Sequence, residues 1–109
     1  MDQEDLGRLR RLAVRAAEAG GDAARPYFAQ PGLKVETKED DSPVTIADKA
    51  CERAIRGFLA AERPGDAMLG EEDGLQGPEG ARFRWVVDPI DGTRNFIRGI
   101  PLWSTLVAV

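Results

Sequence analysis

Residues 85–96 carry the sequence WVVDPIDGTRNF, on which the interpretation of the whole chain depends. Residues 83–87 predict a strand, which we expect to end in a turn at Asp88. Asp91 follows three positions later, and Gly92 permits a tight turn directly after it. The stretch therefore predicts two carboxylates held at the exposed end of a rigid element.

Backbone amide groups complete this pattern. In such a turn the N–H groups of Gly92 and Thr93 can point together at an anion. Carboxylates for a metal ion beside amides for a phosphate are what phosphoryl transfer to water requires. The plainer interpretation, in which Asp-Gly after a strand is only a turn, is supported about equally well by these residues alone.

A second acidic segment lies upstream of this strand. Residues 67–69 predict a short strand that leads into Gly70-Glu71-Glu72-Asp73-Gly74, and a loop rich in Gly and Pro follows as far as Ala81. Taken without its context, Glu71 is most simply part of a solvated acidic loop.

The best-marked helix begins near Thr45. Thr45 and Asp48 have the spacing of a capping box, with Asp in place of the usual Glu or Gln. Apolar residues then recur at helical spacing and predict one buried face: Ala47, Ala50, Cys51, Ala54, Ile55, Phe58 and Leu59. We expect this helix to run to about Glu62, before Pro64-Gly65, and Cys51 to be a small core residue.

An amphipathic helix is also predicted at the N-terminus, over residues 3–19, with a stop at Gly20-Gly21. Residues 22–29 prolong it after a kink, and Pro31-Gly32 ends it. Residues 33–37 predict a short strand, and residues 38–42 predict a polar loop.

The last segment, residues 102–109, is apolar enough to predict a buried strand. Such a strand needs sheet neighbours on both sides and helices over its faces. We therefore expect the natural protein to continue beyond Val109, and residues 1–109 alone to show little or no enzymatic activity.

Composition narrows the class of chemistry. The chain has 19 acidic and 15 basic residues, and the basic residues are scattered, which argues against nucleic acid as a partner. A single cysteine cannot form an internal disulfide, and no long apolar run indicates a leader or a membrane segment, so we expect a cytoplasmic protein. Histidine is absent. Carboxylates are hard ligands, so a bound metal is expected to be magnesium or manganese.

Three segments, in this order, resemble the motifs of the inositol monophosphatase family: Pro43-Val44-Thr45-Ile46-Ala47-Asp48, Gly70-Glu71-Glu72, and WVVDPIDGTRNF at residues 85–96. The resemblance covers nearly the whole chain but only the N-terminal part of a typical member. It implies an α+β fold, a layered αβαβα sandwich of the sugar-phosphatase type. Residues 1–109 would supply the N-terminal helix pair and first strands of that single domain.

The resemblance also implies the site. Glu71, Asp88, the backbone carbonyl of Ile90, and Asp91 would bind two or three Mg²⁺ ions, with Asp88 bridging two of them and a further ligand lying beyond Val109. Gly92 and Thr93 would bind the substrate phosphate through their N–H groups. Catalysis by direct attack of a metal-activated water would involve three side chains, those of Asp48, Glu71 and Thr93.

The substrate is expected to be a small phosphorylated metabolite, and the protein a homo-oligomer. Gly99-x-Pro101 with Trp103 and Leu106 is more similar to the histidinol-phosphate phosphatase branch, which acts in histidine biosynthesis, than to the inositol branch. An inositol-1-monophosphatase remains an alternative, and so does a 3'(2'),5'-bisphosphate nucleotidase, whose branch shares Ser42-Pro43-Val44-Thr45. A hypothesis of another class is an inactive fragment that retains the fold without catalysis.

Overall fold

Two long helices pack together on one face of a four-stranded sheet. The computed structural model describes residues 2–40 and 43–109. The helices are α1 (Gln3–Ala24), α2 (Ile46–Glu62) and the short α3 (Thr93–Ile97), and a 3₁₀ turn (Arg25–Tyr27) follows α1. The strands are β1 (Val35–Thr37), β2 (Pro43–Thr45), β3 (Ala67–Gly70), β4 (Gly74–Gln76), β5 (Arg84–Asp91) and β6 (Ser104–Ala108).

The main sheet is mixed. Its strand order is β4-β3-β5-β6; β3 and β5 are parallel, and the other two pairs are antiparallel. β1 and β2 form a separate antiparallel hairpin. Helices and a largely antiparallel sheet are thus combined in the α+β class that the sequence predicts.

The core lies between the helix pair and one face of the sheet. Trp85 and Val87 alternate on that face of β5 and are almost fully buried, as the strand period of two requires. They meet the apolar face of α2, including Cys51 and Ile55, and Trp85 donates its indole N–H to Asp66 at 2.9 Å. The predicted core role of Cys51 is therefore confirmed.

The expected stop at Gly20-Gly21 is wrong, because α1 passes through both glycines and ends at Ala24. A Cβ atom added to Gly20 would lie 2.6 Å from Ile55 Cδ1 and 2.8 Å from Cys51 Sγ. The glycine is therefore needed for the close approach of α1 to α2. The α-helix gives way to the 3₁₀ turn at Arg25, next to Pro26, which has no N–H group to donate.

The capping box is confirmed: Thr45 precedes α2 and accepts from the N–H groups of Ala47 and Asp48, while Asp48 accepts from the N–H of Thr45 at 2.8 Å. Two short strands were not expected from the sequence. β2 ends at the cap residue Thr45, and β4 lies at the start of the predicted Gly/Pro-rich loop. Residues 41 and 42 of the predicted polar loop, including Ser42 of the nucleotidase-like stretch, lie outside the described residues.

The prediction that residues 102–109 form a buried strand is only partly right. β6 pairs with β5 alone and is an edge of the sheet as described, and Leu102 and Leu106 are 72% and 50% exposed. Thr105 and Val107 face the helices instead. None of the described helices is both long and apolar enough to cross a bilayer.

Candidate metal and phosphate site

A β-bulge brings the two predicted carboxylates of β5 together. Asp88 pairs with Leu106 on β6 and Asp91 pairs with Ser104, so β5 advances by three residues where β6 advances by two. Residues three apart in a regular strand point to opposite faces of a sheet. The extra residue in the bulge reverses that alternation. Consistent with this, the side chains of Asp88 and Asp91 interact directly.

The bulge is fixed by contacts from two directions. Pro89 has no N–H to place in the ladder, and its carbonyl oxygen accepts a hydrogen bond from the Thr105 hydroxyl at 2.8 Å. The Cys51 thiol of α2 donates to the same carbonyl at 3.2 Å. The bulged segment is therefore held by both the neighbouring strand and the core helix.

Asp88 lies in a strongly acidic environment. Burial, followed by the negative charges of Glu71 and Asp91, raises the pKa of Asp88 to about 6, while Lys38 acts in the opposite direction. The energetic cost of ionising this group reflects its burial first, and then an imbalance of negative charge from Glu71 and Asp91 that Lys38 does not neutralise. A cation beside Asp88 would relieve that imbalance.

Lys38 forms ion pairs with two carboxylates of the β3–β4 turn. Its ammonium group lies 3.1 Å from Glu72 Oε1 and 3.7 Å from Glu71 Oε2. Burial lowers the pKa of Lys38, but Glu72, Glu71 and Asp48 outweigh it and the net direction is upward. The family resemblance places a lysine near the site at this position, but Lys38 was not among the predicted site residues, because a lone loop lysine is usually solvated.

The donor set suits a hard divalent cation in its chemistry. Glu71, Asp88 and Asp91 offer carboxylate oxygens, the ligands that Mg²⁺ prefers. Within residues 2–40 and 43–109, however, no three carboxylate, histidine or cysteine groups surround a common point closely enough to chelate an ion as they stand. Glu71 is paired with Lys38, so its carboxylate would have to leave that ion pair to join Asp88 and Asp91 as a ligand.

Asp48 and Thr93 form the second part of the site. Asp48 is only 2% exposed, and its Oδ2 accepts from both the N–H and the hydroxyl of Thr45. Its Oδ1 lies 3.0 Å from the Thr93 hydroxyl, which lies at the same distance from the carbonyl oxygen of Ile90. A hydroxyl has one proton, so Thr93 donates to one of these two acceptors at a time. The capping box and the turn after β5 are thereby joined.

Gly92 makes the turn possible. Its φ of 93° lies in the left-handed region, where glycine has no steric penalty, and it precedes the first residue of α3. A Cβ atom at this position would lie 3.0 Å from the carbonyl oxygen of Leu102. The amides of Gly92 and Thr93 therefore belong to a sharply turned segment next to Asp91, as the sequence predicts.

All the site residues predicted from the sequence thus lie where β5, the β3–β4 turn and the start of α2 meet. The sequence did not indicate Glu52, which is fully buried beneath this site on α2. The available signal was that Glu52 is a charged residue beside the predicted apolar face of α2.

Comparison with known proteins identifies relatives over almost the entire chain. The profile of the Inositol monophosphatase family matches residues 5–109. A histidinol-phosphatase of Streptomyces coelicolor is 52% identical over 99 residues, which are 91% of this chain and 36% of that protein. A histidinol-phosphatase of Mycobacterium tuberculosis is 43% identical over 109 residues, all of this chain and 40% of that protein.

A solved structure agrees with the sequence comparison. The extragenic suppressor protein suhB from Bartonella henselae superposes with a TM-score of 0.81 at 34% identity, covering 93% of this chain and 40% of that one. The chain therefore spans about two-fifths of the length of the relatives that it matches. Because the family profile covers residues 5–109, and because fold and sequence agree, the chain belongs to the inositol monophosphatase family.

Proposed function

We propose that the whole protein is a Mg²⁺-dependent hydrolase of phosphate monoesters, and that residues 1–109 carry most of its metal-binding groups. The observation that carries the proposal is the β-bulge that brings Asp88 and Asp91 to one side of β5, where the charge of Glu71 also acts on Asp88 and helps to raise its pKa. Carboxylates crowded in this way favour a bound cation, and family membership supports the same chemistry.

Each predicted residue has a role in this proposal. Glu71, Asp88, Asp91 and the carbonyl of Ile90 would hold Mg²⁺, which would supply Lewis acidity toward the phosphate and lower the pKa of water. The N–H groups of Gly92 and Thr93 would bind phosphate oxygens. The Thr93 hydroxyl, 3.0 Å from Asp48 Oδ1, would orient the attacking water.

Histidinol phosphate is the substrate that we propose. Two similar relatives are named histidinol-phosphatase, and the stretch from Gly99 to Leu106 is similar to that branch. In the structure, Trp103 packs against Phe28 and Phe96 at centroid distances of 5.9 and 4.8 Å. Because this is core packing, Trp103 itself gives no independent support for the substrate.

The test uses the full-length protein. Phosphate release from histidinol phosphate should depend on Mg²⁺ and disappear on exhaustive chelation, and its kcat/KM should exceed that for inositol 1-phosphate and for 3'-phosphoadenosine 5'-phosphate. Activity that survives chelation would contradict the proposed dependence on Mg²⁺. A preference for either rival substrate would leave the assignment as a phosphatase intact but would contradict the assignment to the histidinol-phosphate branch.

Two variants test the ligand assignment. Asp88→Asn should lower kcat/KM more than Asp91→Asn does, since the family pattern gives the bridging position to Asp88 alone. Asp22→Asn is the matched control, because Asp22 lies on α1 and forms an exposed ion pair with Arg25. Equal activity of Asp88→Asn and Asp22→Asn would contradict the assignment.

Several predictions from the sequence stay predictions. The cytoplasmic location, the homo-oligomeric state, the five-layer arrangement of the whole domain and the number of Mg²⁺ ions are among them. The alternative of an inactive protein with this fold is tested by the same assay, because it predicts no metal-dependent phosphate release from any of the three substrates.

A further inference from the structure

We infer that Glu52 is a positioning residue, which fixes the backbone beside Glu71 so that the Glu71 carboxylate is presented to Asp88. The inference rests on the proposed function, since it assigns Glu52 a purpose in the same metal site. It goes beyond that function because Glu52 would anchor a turn and would not itself bind the metal.

The side chain of Glu52 is fully buried. Its Oε1 accepts a hydrogen bond from the N–H of Glu72 at 2.9 Å, and its Oε2 accepts one from the N–H of Asp73 at 2.7 Å. Burying a carboxylate costs considerable free energy unless hydrogen bonds and charges compensate it. Two consecutive backbone amides of the turn supply this compensation, so Glu52 and the turn order each other.

Arg56 completes the anchor one helical turn further along α2. Its Nε lies 3.2 Å from Glu52 Oε2, and its Nη2 donates to the carbonyl oxygen of Gly74 at 2.6 Å. Glu52 therefore holds the N–H groups in the middle of the β3–β4 turn, while Arg56 holds a carbonyl at its end. The turn is fixed at several backbone atoms by one face of a helix.

Gly70 shows that the fit is tight. A Cβ atom on Gly70 would overlap the carboxyl group of Glu52. A side chain on the last residue of β3 would therefore displace the Glu52 carboxylate from the turn amides. Glu71, the next residue, is not itself bonded to Glu52, and its side chain is half exposed. β3 holds the backbone before Glu71, and the α2 contacts hold it at residues 72–74, so the Glu71 carboxylate would only have to leave Lys38 to serve as a metal ligand.

Asp48 and Glu52 lie four residues apart, on one face of α2. Asp48 contacts Thr93 in the turn after β5, and Glu52 contacts the turn after β3. A single rigid helix thus sets the distance between the two segments that carry the proposed ligands. Supporting contacts of this kind commonly change metal affinity or activity by about 10- to 100-fold when they are removed.

The experiment compares full-length wild-type protein with Glu52→Gln and with Glu62→Gln, an exposed control at the end of the same helix. Glutamine has one acceptor oxygen and one NH₂ group, so one of the two turn amides loses its acceptor. We expect the Kd for Mn²⁺, measured by calorimetry without substrate, to rise about tenfold in Glu52→Gln and to be unchanged in Glu62→Gln.

A second measurement is independent of metal and of activity. The amide hydrogens of Glu72 and Asp73 should exchange slowly in the metal-free wild-type protein and faster in Glu52→Gln. Unchanged Mn²⁺ affinity with unchanged exchange at these two amides, in a folded Glu52→Gln variant, would overturn the inference. If that variant does not fold, fast exchange at both amides in the wild-type protein would overturn it equally.

The outcomes separate the two proposals. A protein that binds Mn²⁺ through a Glu52-dependent site but hydrolyses no phosphate monoester would refute the proposed function and leave the positioning role intact. If the enzyme is active but Glu52→Gln changes neither its Mn²⁺ affinity nor the exchange of the turn amides, the positioning role is refuted and the proposed function stands.

Discussion

Asp48 connects two parts of the chain that are 45 residues apart in sequence. Its side chain caps α2 through Thr45 and also accepts from Thr93, so a residue with an obvious local role has a second, long-range one. The plainer interpretation of Asp48 as a helix cap and the functional one are therefore compatible. The link depends on a single hydroxyl.

Replacing that hydroxyl should be measurable in stability. Thr93→Val keeps the branched shape but removes the donor to Asp48 Oδ1, leaving a buried carboxylate oxygen without its partner. We expect the free energy of unfolding of the full-length protein to fall by about 1 to 3 kcal/mol in urea titrations. Thr93→Ser retains the hydroxyl and should lose much less. Equal losses in the two variants would show that shape, not the hydrogen bond, matters at this position.

Cys51 supplies a prediction about pH. Burial raises the pKa of the Cys51 thiol to about 11, above its ordinary value of 9.0. The Cys51 thiol therefore stays protonated to a higher pH in the folded state than in the unfolded state. Stability from this group is complete below pH 9 and declines as pH rises from there toward 11, by at most about 1.4 kcal/mol per pH unit.

The same pKa predicts the reactivity of the thiol. Native protein at pH 8 should react with a thiol reagent such as dithionitrobenzoate far more slowly than protein unfolded in guanidinium, because the thiolate is the reacting species. Cys51→Ser should abolish the signal from this position in both states. Rapid modification of the native protein at Cys51 would mean that the residue is accessible and that the core position is wrong.

At the scale of elements, the contact between α1 and α2 depends on one glycine of a pair. Gly20 faces Cys51 and Ile55, whereas a Cβ atom on Gly21 would meet nothing within 4 Å. Both glycines lie inside the same helix. Substitutions at Gly20 therefore report on packing between the helices, and substitutions at Gly21 report on helix propensity.

Alanine substitutions should separate the two effects. Gly20→Ala forces a methyl group into the helix contact and should destabilise the full-length protein by about 1 to 3 kcal/mol. Gly21→Ala adds only helix propensity and should be neutral or stabilising by up to about 1 kcal/mol. Thermal and urea unfolding of both variants give the comparison. Stabilisation by Gly20→Ala would mean that the helices are further apart than described.

At the scale of the whole molecule, the sheet has two unlike faces. One is covered by α1 and α2, and the other carries a row of partly exposed apolar side chains across the strands: Leu75, Leu69, Val86 and Leu106. β6 also offers an edge that is unpaired within the sheet as described. Exposed apolar rows and open edges favour association.

Residues 1–109 expressed alone should therefore self-associate, and light scattering should give a mass above that of one chain. Val86→Lys places a charge in the middle of the row and should reduce association. Leu6→Lys is the control, because Leu6 is exposed on α1 away from this face. A monodisperse single chain at high concentration would contradict the prediction, and so would an equal effect of both lysines.

Much of the site could be predicted from the sequence because its signals are local. The capping box at Thr45, the strand before Asp88 and the turn at Gly92 depend on residues within a few positions, where side-chain type limits the backbone directly. The motif spacing then identifies the family. The positions of the two long helices, apart from the end of α1, and of most strands follow from periodicity in the same way.

Other features were decided only by the tertiary structure. Asp88 and Asp91 share one side because β5 has one more residue than β6 between their pairing positions. Gly20 is a contact and not a stop because α2 lies against it, and buried Glu52 has its partners in a turn 20 residues away. Each of these depends on which distant segments pair and how closely they approach, and local residue preferences do not determine that.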